Sequence, residues 1–248
     1  MKKITRLLAL WLCLLTLMGT AGAEEKLTDE QLASYYTDSV MVGDSIPRML
    51  RNYIAALQEK DPDYLADLRF FTQYSYKLRS AARETIDPEE VNLLYKGEDY
   101  TLCRLMEVLK PKRLFIQAGL NDKIGEKIDA GMEYVEQIMA LMKQYAPDTE
   151  VHFISLLPVT YRVEEERPNL QKKWDAYNAA LEEKCGEVGA IYVEVAEPLK
   201  NEDGQLRFAL SHDGLYHLND EGNAILLRTL MDFAQTRFDA GLWTPDDQ

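Results

Sequence analysis

Short apolar runs alternate along the chain with longer stretches in which apolar residues recur every three or four positions. Five of the runs have the length and apolar character of buried β-strands, and polar or turn-forming residues bound each of them. These predicted strands span residues 39–42, 68–72, 113–117, 151–156 and 190–195.

The remaining periodic stretches predict helices, because their apolar residues fall on one face at 3.6 residues per turn. The strongest pattern covers 131–145, where Val135, Ile138 and Met142 share a face. Residues 86–100 and 158–169 follow no regular pattern and are expected to be irregular. The other predicted helices span 46–57, 76–84, 101–109, 170–184 and 219–238.

The alternation of strands and helices favours an α/β fold in which helices cover both faces of a parallel sheet. Such a three-layer α/β/α domain binds ligands at the carboxyl ends of its strands. We find no repeat or linker, so residues 24–248 are expected to form one domain.

The first 23 residues have the pattern of an export signal. Three basic residues lie within the first six positions, an apolar run covers 7–18, and Ala21-Gly22-Ala23 provides a small-residue cleavage site. We therefore expect a signal peptide over 1–23 and a secreted or extracytoplasmic mature chain. A retained membrane anchor is the alternative, but the run is shorter than the ~20 residues of a spanning helix.

The charge of the mature chain disfavours two classes of partner. Without the first 23 residues it has 25 basic and 42 acidic residues, a net charge of −17. Such an acidic protein is not expected to bind nucleic acid or an anionic membrane surface.

Three polar motifs lie at strand ends or before the last helix. Ser45, in Gly43-Asp44-Ser45, opens the first helix, where free N–H groups and the helix dipole stabilise an alkoxide or oxyanion. Asn121, in Gly119-Leu120-Asn121-Asp122, follows the third strand and can donate to developing negative charge. Asp213 and His217 precede the last helix, and an imidazole can accept a proton near neutral pH.

Each motif also has a plain structural interpretation. Asp44 or Ser45 could cap the helix, and Asn121 could form an Asx-turn. His212 competes with His217 as the base, whereas His152, within the fourth strand, is interpreted as a packed or edge histidine. The three motifs together favour a nucleophile, a base and an oxyanion donor in one site.

These motifs resemble the conserved blocks of the SGNH/GDSL hydrolase family, and the resemblance covers nearly all of residues 24–248. It implies a flavodoxin-like five-stranded sheet of order 2-1-3-4-5 and esterase chemistry without a cofactor. By the same resemblance Ser45 is the nucleophile and a backbone oxyanion donor, and Asn121 is the side-chain donor. His217 is then the base and Asp213 its acid partner.

The chain departs from the family pattern at two places. No glycine follows the second strand, where the family has an oxyanion donor, so the backbone N–H of Ser75 or Tyr74 could serve instead. The N–H groups of Ser45 and Gly119 are the other backbone candidates. The spacing from Asp213 to His217 is D-x-x-x-H, one residue longer than the usual D-x-x-H.

Cysteines and metal ligands add little to this picture. An exported chain with two cysteines suggests a disulfide. In a 2-1-3-4-5 sheet, however, the helices of Cys103 and Cys185 lie on one face with the 131–145 helix between them. That separation exceeds the ~4.4–6.8 Å between the Cα atoms of a disulfide. No metal-ligand spacing occurs in the sequence, so a metal is not expected.

The sequence therefore predicts a secreted serine esterase that acts on an ester-linked acyl group of a small molecule or glycan. O-acetyl groups on extracellular glycans are the first expectation and lipid acyl chains the second. A non-catalytic carbohydrate- or partner-binding module on the same fold is the alternative, and acyl transfer to a glycan is a weaker one.

Overall fold

The computed structural model describes residues 26–123 and 127–246, and the predicted signal segment over 1–23 lies outside these described residues. Each strand contributes three to five residues to a ladder. The strands of the described chain are β1 (Ser39–Gly43), β2 (Leu68–Thr72), β3 (Leu93–Tyr95), β4 (Glu98–Tyr100), β5 (Arg113–Gln117), β6 (Glu150–Ile154) and β7 (Ile191–Val193).

The helices connect these strands and cover the sheet. Short 3₁₀ segments at 120–122, 197–199 and 208–210 lie in the loops. The α-helices of the described chain are α1 (Asp29–Ser34), α2 (Ser45–Gln58), α3 (Leu78–Ala81), α4 (Leu102–Leu109), α5 (Ile128–Tyr145), α6 (Tyr161–Glu166), α7 (Leu170–Val188) and α8 (Asp220–Asp239).

Five strands form one parallel sheet of order β2-β1-β5-β6-β7. This is the predicted order 2-1-3-4-5, because β3 and β4 form a separate antiparallel hairpin. Gly43, at the end of β1, is paired with Thr72 of β2 and with Gln117 of β5. The carboxyl ends of the three strands therefore lie side by side, which confirms the predicted α/β fold class.

Side chains of β1 alternate between two hydrophobic cores, as the period of a strand requires. Val40 and Val42 face the core under α4, α5 and α7, whereas Met41 faces the core under α1, α2 and α8. All five residues of β1 are buried because helices cover both faces of the sheet. This three-layer arrangement fixes the ends of β1 and β5, which the motifs of Ser45 and Asn121 follow.

The irregular stretches contain short elements that the sequence pattern did not predict. The β3–β4 hairpin lies within 86–100 and turns at Lys96 and Gly97, whose φ values are 52° and 86°. The helix α6 lies within 158–169, and α1 precedes the first strand. Strands of three residues and helices of six are too short for periodicity to be read.

Among the predicted helices, α3 and α7 differ most from their predicted bounds, and α5 begins three residues earlier than predicted. Instead of covering 76–84, α3 is a single turn, and the Asp122 carboxylate accepts the N–H groups of Leu78 and Arg79 at its start. The helix α7 continues past Gly186 and ends at Gly189, whose φ is 75°. Gly189 thus supplies the left-handed cap that typically ends a helix.

Gly43 is required by close packing at the end of β1. A Cβ atom at this position would lie 2.1 Å from the carbonyl oxygen of Gln117 and 2.6 Å from Cγ of Pro47. Since neither group can move freely, only glycine fits between β1 and β5 at the point where the chain turns into α2.

The two cysteines among the described residues, Cys103 on α4 and Cys185 on α7, are free and buried. The helix α5 packs between α4 and α7 on that face of the sheet, as the predicted topology requires. Over residues 26–123 and 127–246, no helix combines the length and apolar character needed to cross a lipid bilayer.

Candidate active site

A continuous series of hydrogen bonds joins three of the predicted site residues. The hydroxyl oxygen Oγ of Ser45 lies 2.8 Å from Nε2 of His217. The other ring nitrogen, Nδ1, lies 2.6 Å from Oδ2 of Asp213. These residues are 172 and 4 positions apart along the chain, so the fold brings the serine to the histidine while a local turn brings the acid.

The start of α2 presents the Ser45 hydroxyl. Asp44 is the N-cap, and its Oδ1 accepts the N–H of Ile46 at 3.0 Å. Because Asp44 takes the capping role, the hydroxyl of Ser45 is left to contact His217. The structural interpretation of the motif therefore applies to Asp44 and not to Ser45.

A tight turn around Asp213 explains the longer D-x-x-x-H spacing. Its Oδ1 accepts the N–H groups of Leu215, Tyr216 and His217 at 2.8, 3.2 and 3.3 Å. Gly214 has a φ of 76°, a conformation that side chains disfavour. The carboxylate thereby folds the chain around itself, and the ring of His217 returns to its second oxygen.

Ser211 and Thr160 support this turn. The hydroxyl of Ser211 donates to Oδ1 of Asp213 at 3.1 Å. Thr160 donates from its hydroxyl to the carbonyl oxygen of Gly214 at 2.6 Å and from its N–H to that of Leu215 at 2.9 Å. The turn is thus fixed to the loop that follows β6.

The same contacts set the ionisation of Asp213. Partial burial alone would raise the pKa of this carboxyl, but the hydrogen bonds from His217 and from the Leu215 N–H outweigh it and hold the pKa below its ordinary value. Asp213 is therefore a carboxylate at neutral pH and can fix the tautomer and orientation of the imidazole.

Asn121 lies beside Asp44. Its amide nitrogen Nδ2 is 3.0 Å from Oδ2 of Asp44 and 3.2 Å from the carbonyl oxygen of Tyr76. Both N–H bonds of the amide thus face acceptors, which fixes its orientation. The next residue, Asp122, caps α3 with its carboxylate.

Asp44 is a buried carboxyl, with 1% of its surface exposed. Burial raises its pKa to about 6, although the N–H of Ile46 and the charge of His217 act in the opposite direction. A raised pKa means that the folded state favours the protonated acid, so this group stabilises the fold below pH ~4. The stabilisation is lost as the pH rises through about 6.

Asp44→Asn should therefore stabilise the protein relative to wild type more at pH 8 than at pH 4. The difference between the two pH values is expected to reach about 2 kcal/mol. This is less than the full equivalent of the pKa shift, because the carboxyl of the unfolded chain is already about half ionised at pH ~4. Urea unfolding at both pH values measures it, and Asp203→Asn, at an exposed position, is the control. An equal effect of Asp44→Asn at pH 4 and pH 8 would contradict the assignment.

The backbone candidates lie close to the end of β1 along neighbouring strands. Ser75 follows β2 by three residues and has a φ of 60°. Gly119 follows β5 by two residues and has a φ of 130°. Since Gly43 is paired with the last residue of each strand, both candidates leave the sheet beside Ser45.

The imidazole rings of the other two histidines do not take part in the hydrogen bonds among Ser45, His217 and Asp213. His152 is buried in β6, where its Nε2 lies 2.9 Å from the hydroxyl of Tyr35, which confirms the packed interpretation. The side chain of His212 is exposed, and its backbone N–H donates to the carbonyl oxygen of His217 at 2.7 Å. The imidazole of His217 is the one that contacts both Ser45 and Asp213.

A small, mainly apolar cavity of about 20 Å³ adjoins these residues. Its lining includes the chain neighbours of all three predicted groups: Asp44 and Ile46 beside Ser45, Leu120 beside Asn121 and Tyr216 beside His217. The rest of the lining comes from the end of β5, the loop after β6 and α7, through Gln117, Ala118, Leu156, Leu157 and Trp174.

Several supporting residues are not evident from the sequence pattern. Ser211 and Asp213 form a Ser-x-Asp spacing, which could have indicated the bond between them. Thr160 and Trp174 reach the site from segments far along the chain, and no local signal marks them. Within the described ranges, no three His, Cys, Asp or Glu side chains cluster so as to hold a metal ion.

Comparisons with known proteins agree with this architecture. A Streptococcus pneumoniae structure, provisionally described as a platelet activating factor, superposes with a TM-score of 0.54 at 20% identity, over 94% of this chain and 99% of that one. An acetylxylan esterase from Geobacillus stearothermophilus gives 0.52 at 14% identity, over 79% and 93%. The periplasmic domain of a lipopolysaccharide acetyltransferase from Salmonella ser. Paratyphi A gives 0.51 at 16%, over 79% and 83%.

At these identities the structural likeness shows a shared fold. No curated protein matches the chain in a sequence comparison. The family model of GDSL-like lipases and acylhydrolases matches residues 41–225, a range that contains Ser45, Asn121, Asp213 and His217. The chain therefore belongs to the GDSL-like lipase/acylhydrolase family.

Proposed function

We propose that the protein is an exported serine esterase that removes a small ester-linked acyl group, with O-acetyl groups on extracellular glycans as the expected substrate. The observation that supports it most directly is the hydrogen-bonded series from Ser45 through His217 to Asp213. A hydroxyl, an imidazole and a carboxylate in this order are the parts of an activated serine nucleophile.

The reaction follows from these contacts. His217 takes the hydroxyl proton on Nε2 while Oγ of Ser45 attacks the carbonyl carbon, and the carbonyl electrons move to oxygen. The tetrahedral intermediate collapses, and the leaving alkoxide takes the proton from His217. Water then attacks the acyl-enzyme with His217 again as base, so the carboxylic acid leaves and the serine is restored.

Asn121 and backbone N–H groups stabilise the oxyanion in this mechanism. The bond from Asn121 to Asp44 orients the amide, and the longer 3.2 Å bond to the carbonyl of Tyr76 is the one exchanged for the substrate oxygen. The N–H of Ser45 and those of Ser75 and Gly119 are the backbone candidates. Donors held in advance stabilise charge without reorganisation during the reaction.

Asn121→Ala should lower kcat by ~10²–10³, as the loss of one side-chain oxyanion donor does elsewhere. The measurement is kcat on p-nitrophenyl acetate, together with a thermal unfolding curve to establish that the variant folds. Asn201→Ala, in an exposed turn, is the control. A folded Asn121→Ala variant with unchanged kcat would assign Asn121 to a structural turn.

The size of the cavity favours a short acyl group. Binding sites for drug-sized ligands are ~300–1,000 Å³, whereas this cavity is about 20 Å³ and has room only for a small group. Its apolar lining suits an alkyl group, and Trp174 is the largest side chain in that lining. An acetyl group fits this description better than a lipid chain does.

Trp174→Leu should therefore shift acyl preference toward longer chains. We expect the ratio of kcat/KM on p-nitrophenyl butyrate to that on the acetate to rise about tenfold, because one methylene is worth ~1–3 kcal/mol in such a pocket. Trp243→Leu is the matched control, since Trp243 is equally buried but lies in the other core. Equal ratios in the two variants would exclude Trp174 from the acyl pocket.

Export and the fold comparisons support a glycan as the alcohol part of the ester. The predicted signal segment would place the protein where acetylated polysaccharides occur. One superposed structure is an acetylxylan esterase and another belongs to a lipopolysaccharide acetyltransferase, so this fold serves O-acetyl chemistry on glycans in other proteins.

Labelling with a fluorophosphonate probe tests the proposal. The mature protein should react at Ser45, identified by peptide mass spectrometry, and should release acetate from p-nitrophenyl acetate. Denatured protein is the control, since only an activated serine reacts. A folded protein that neither reacts nor hydrolyses the ester would favour the non-catalytic binding module.

A further inference from the structure

Two groups in which an arginine lies over an exposed aromatic ring flank the candidate active site. On one side, the guanidinium carbon of Arg48 lies 4.3 Å from the ring centroid of Tyr74. On the other, that of Arg162 lies 4.7 Å from the ring centroid of Phe208, and Tyr161 adjoins this ring at 5.3 Å. We call them the Tyr74 pair and the Phe208 cluster.

Both features are continuous with the site. Arg48 is one helical turn after Ser45 on α2, and Tyr74 directly precedes the oxyanion candidate Ser75. Gly214, next to Asp213, packs against the Phe208 cluster: a Cβ there would lie 3.1 Å from Nη1 of Arg162 and 3.5 Å from the Phe208 ring. One feature thus adjoins the nucleophile and the other adjoins the acid.

The aromatic rings are unusually exposed for their size. Tyr74 is 65% exposed, Tyr161 42% and Phe208 41%. Single exposed apolar residues are normal on a protein surface, but a grouping of them around a catalytic cleft indicates a binding function. Tyr161 begins α6 and Phe208 begins the 3₁₀ segment 208–210, so both rings are held by ordered backbone.

Arg48 and Arg162 do not stabilise the described part of the fold through ion pairs. Over the described residues, neither Arg48 nor Arg162 forms a salt bridge, although the chain carries a net charge of −14. An unpaired guanidinium stacked on a ring keeps its N–H groups free at the edge, where they can bind a carboxylate in a bidentate manner. Such positive charges at a cleft attract anionic substrates.

We propose that the Tyr74 pair and the Phe208 cluster bind sugar rings on either side of the acylated sugar, and that these neighbouring sugars carry carboxylates. The proposal rests on the esterase function above and names its substrate class: an O-acetylated acidic polysaccharide. The apolar C–H face of each sugar stacks on an aromatic ring, and its carboxylate pairs with the adjacent guanidinium. A lipid acyl chain fits less well, because the small cavity beside Ser45 has room only for a short acyl group.

The test compares three substrates by acetate release: p-nitrophenyl acetate, an O-acetylated oligogalacturonate and an O-acetylated xylo-oligosaccharide. For the wild-type protein, kcat/KM on the acidic oligosaccharide should exceed that on the neutral one by about tenfold, equivalent to about 1.4 kcal/mol. High salt should lower kcat/KM on the acidic oligosaccharide and leave that on the neutral one unchanged, because screening weakens exposed charge pairs.

Variants separate the two contributions. The double variant Arg48→Gln/Arg162→Gln should abolish the preference for the acidic oligosaccharide and its salt dependence. Tyr161→Ala/Phe208→Ala should lower kcat/KM on both oligosaccharides by about tenfold relative to p-nitrophenyl acetate. Arg104→Gln and Tyr145→Ala are the matched controls, since Arg104 lies 4.2 Å over Tyr145 at the far end of α5, and these should keep the wild-type ratios.

The outcomes distinguish this inference from the esterase proposal. If the protein hydrolyses p-nitrophenyl acetate but neither oligosaccharide, the esterase proposal stands and the proposal that the cleft binds a glycan is rejected. An equal or greater rate on the neutral oligosaccharide overturns the anionic specificity, and variants that keep the wild-type ratios overturn the assignment of these residues. If the protein hydrolyses only long-chain esters in vesicles, the substrate is a lipid and the proposed glycan substrate is rejected.

Discussion

Ser45→Ala should lower kcat on p-nitrophenyl acetate by ~10⁶, the loss seen when the nucleophile of another serine hydrolase is removed. The physical reason is that no other hydroxyl contacts the imidazole of His217 among the described side-chain contacts. Without the Oγ atom there is no covalent intermediate, and only direct attack by water remains.

The control for this variant is Ser34→Ala, which removes an exposed hydroxyl that donates to the carbonyl oxygen of Gln31 on α1. It should keep full activity. The unfolding curve of Ser45→Ala should remain close to that of wild type, because Asp44 and not Ser45 caps α2. If the Ser45→Ala variant turns over at a rate near that of wild type, the mechanism is wrong.

His217→Ala should be nearly as damaging as the loss of the serine, at ~10⁶ in kcat, because nucleophile and base act as a unit. His212→Ala should keep most of the activity, since the ring of His212 faces solvent and only its backbone contacts the turn. Each variant removes an imidazole, and the two positions are five residues apart in the same loop. A loss of kcat confined to His217→Ala therefore identifies a general base, whereas equal losses would indicate disruption of the loop.

The loss of kcat in Asp213→Asn should be ~10⁴, between the losses in His217→Ala and His212→Ala. Removing an acid that only orients the base lowers kcat less than removing the base itself. The asparagine can still accept the N–H groups of Leu215 and Tyr216, but it cannot hold the imidazolium by charge. Steady-state kinetics on p-nitrophenyl acetate measure all three variants. Equal losses for His217→Ala and His212→Ala would leave the base unassigned, and full activity of His217→Ala would reject the mechanism.

Much of the sheet could be predicted because its signal is local. Buried parallel strands are continuous apolar runs, and β2 and β5 begin and end where the pattern predicts. The order of the strands followed from the family resemblance. The short hairpin β3–β4 could not be predicted, since its strands of three residues gain stability mainly from packing on the core beside α4.

For the site, the sequence determined the residue types and their approximate places: a serine after β1, an asparagine after β5, and an acid and a histidine before α8. Motif spacing carries that information because each group lies within a few residues of an element end. The turn around Asp213 is also local, as its carboxylate binds N–H groups two to four residues away.

Only the tertiary structure decided which groups meet. The contact between Ser45 and His217, the burial of Asp44 against Asn121 and the support from Thr160 join segments 54 to 172 residues apart. The cavity wall at Trp174 and the paired arginines at Tyr74 and Phe208 arise in the same way. Such contacts depend on how the helices pack on the sheet, and the pattern along one segment carries no information about them.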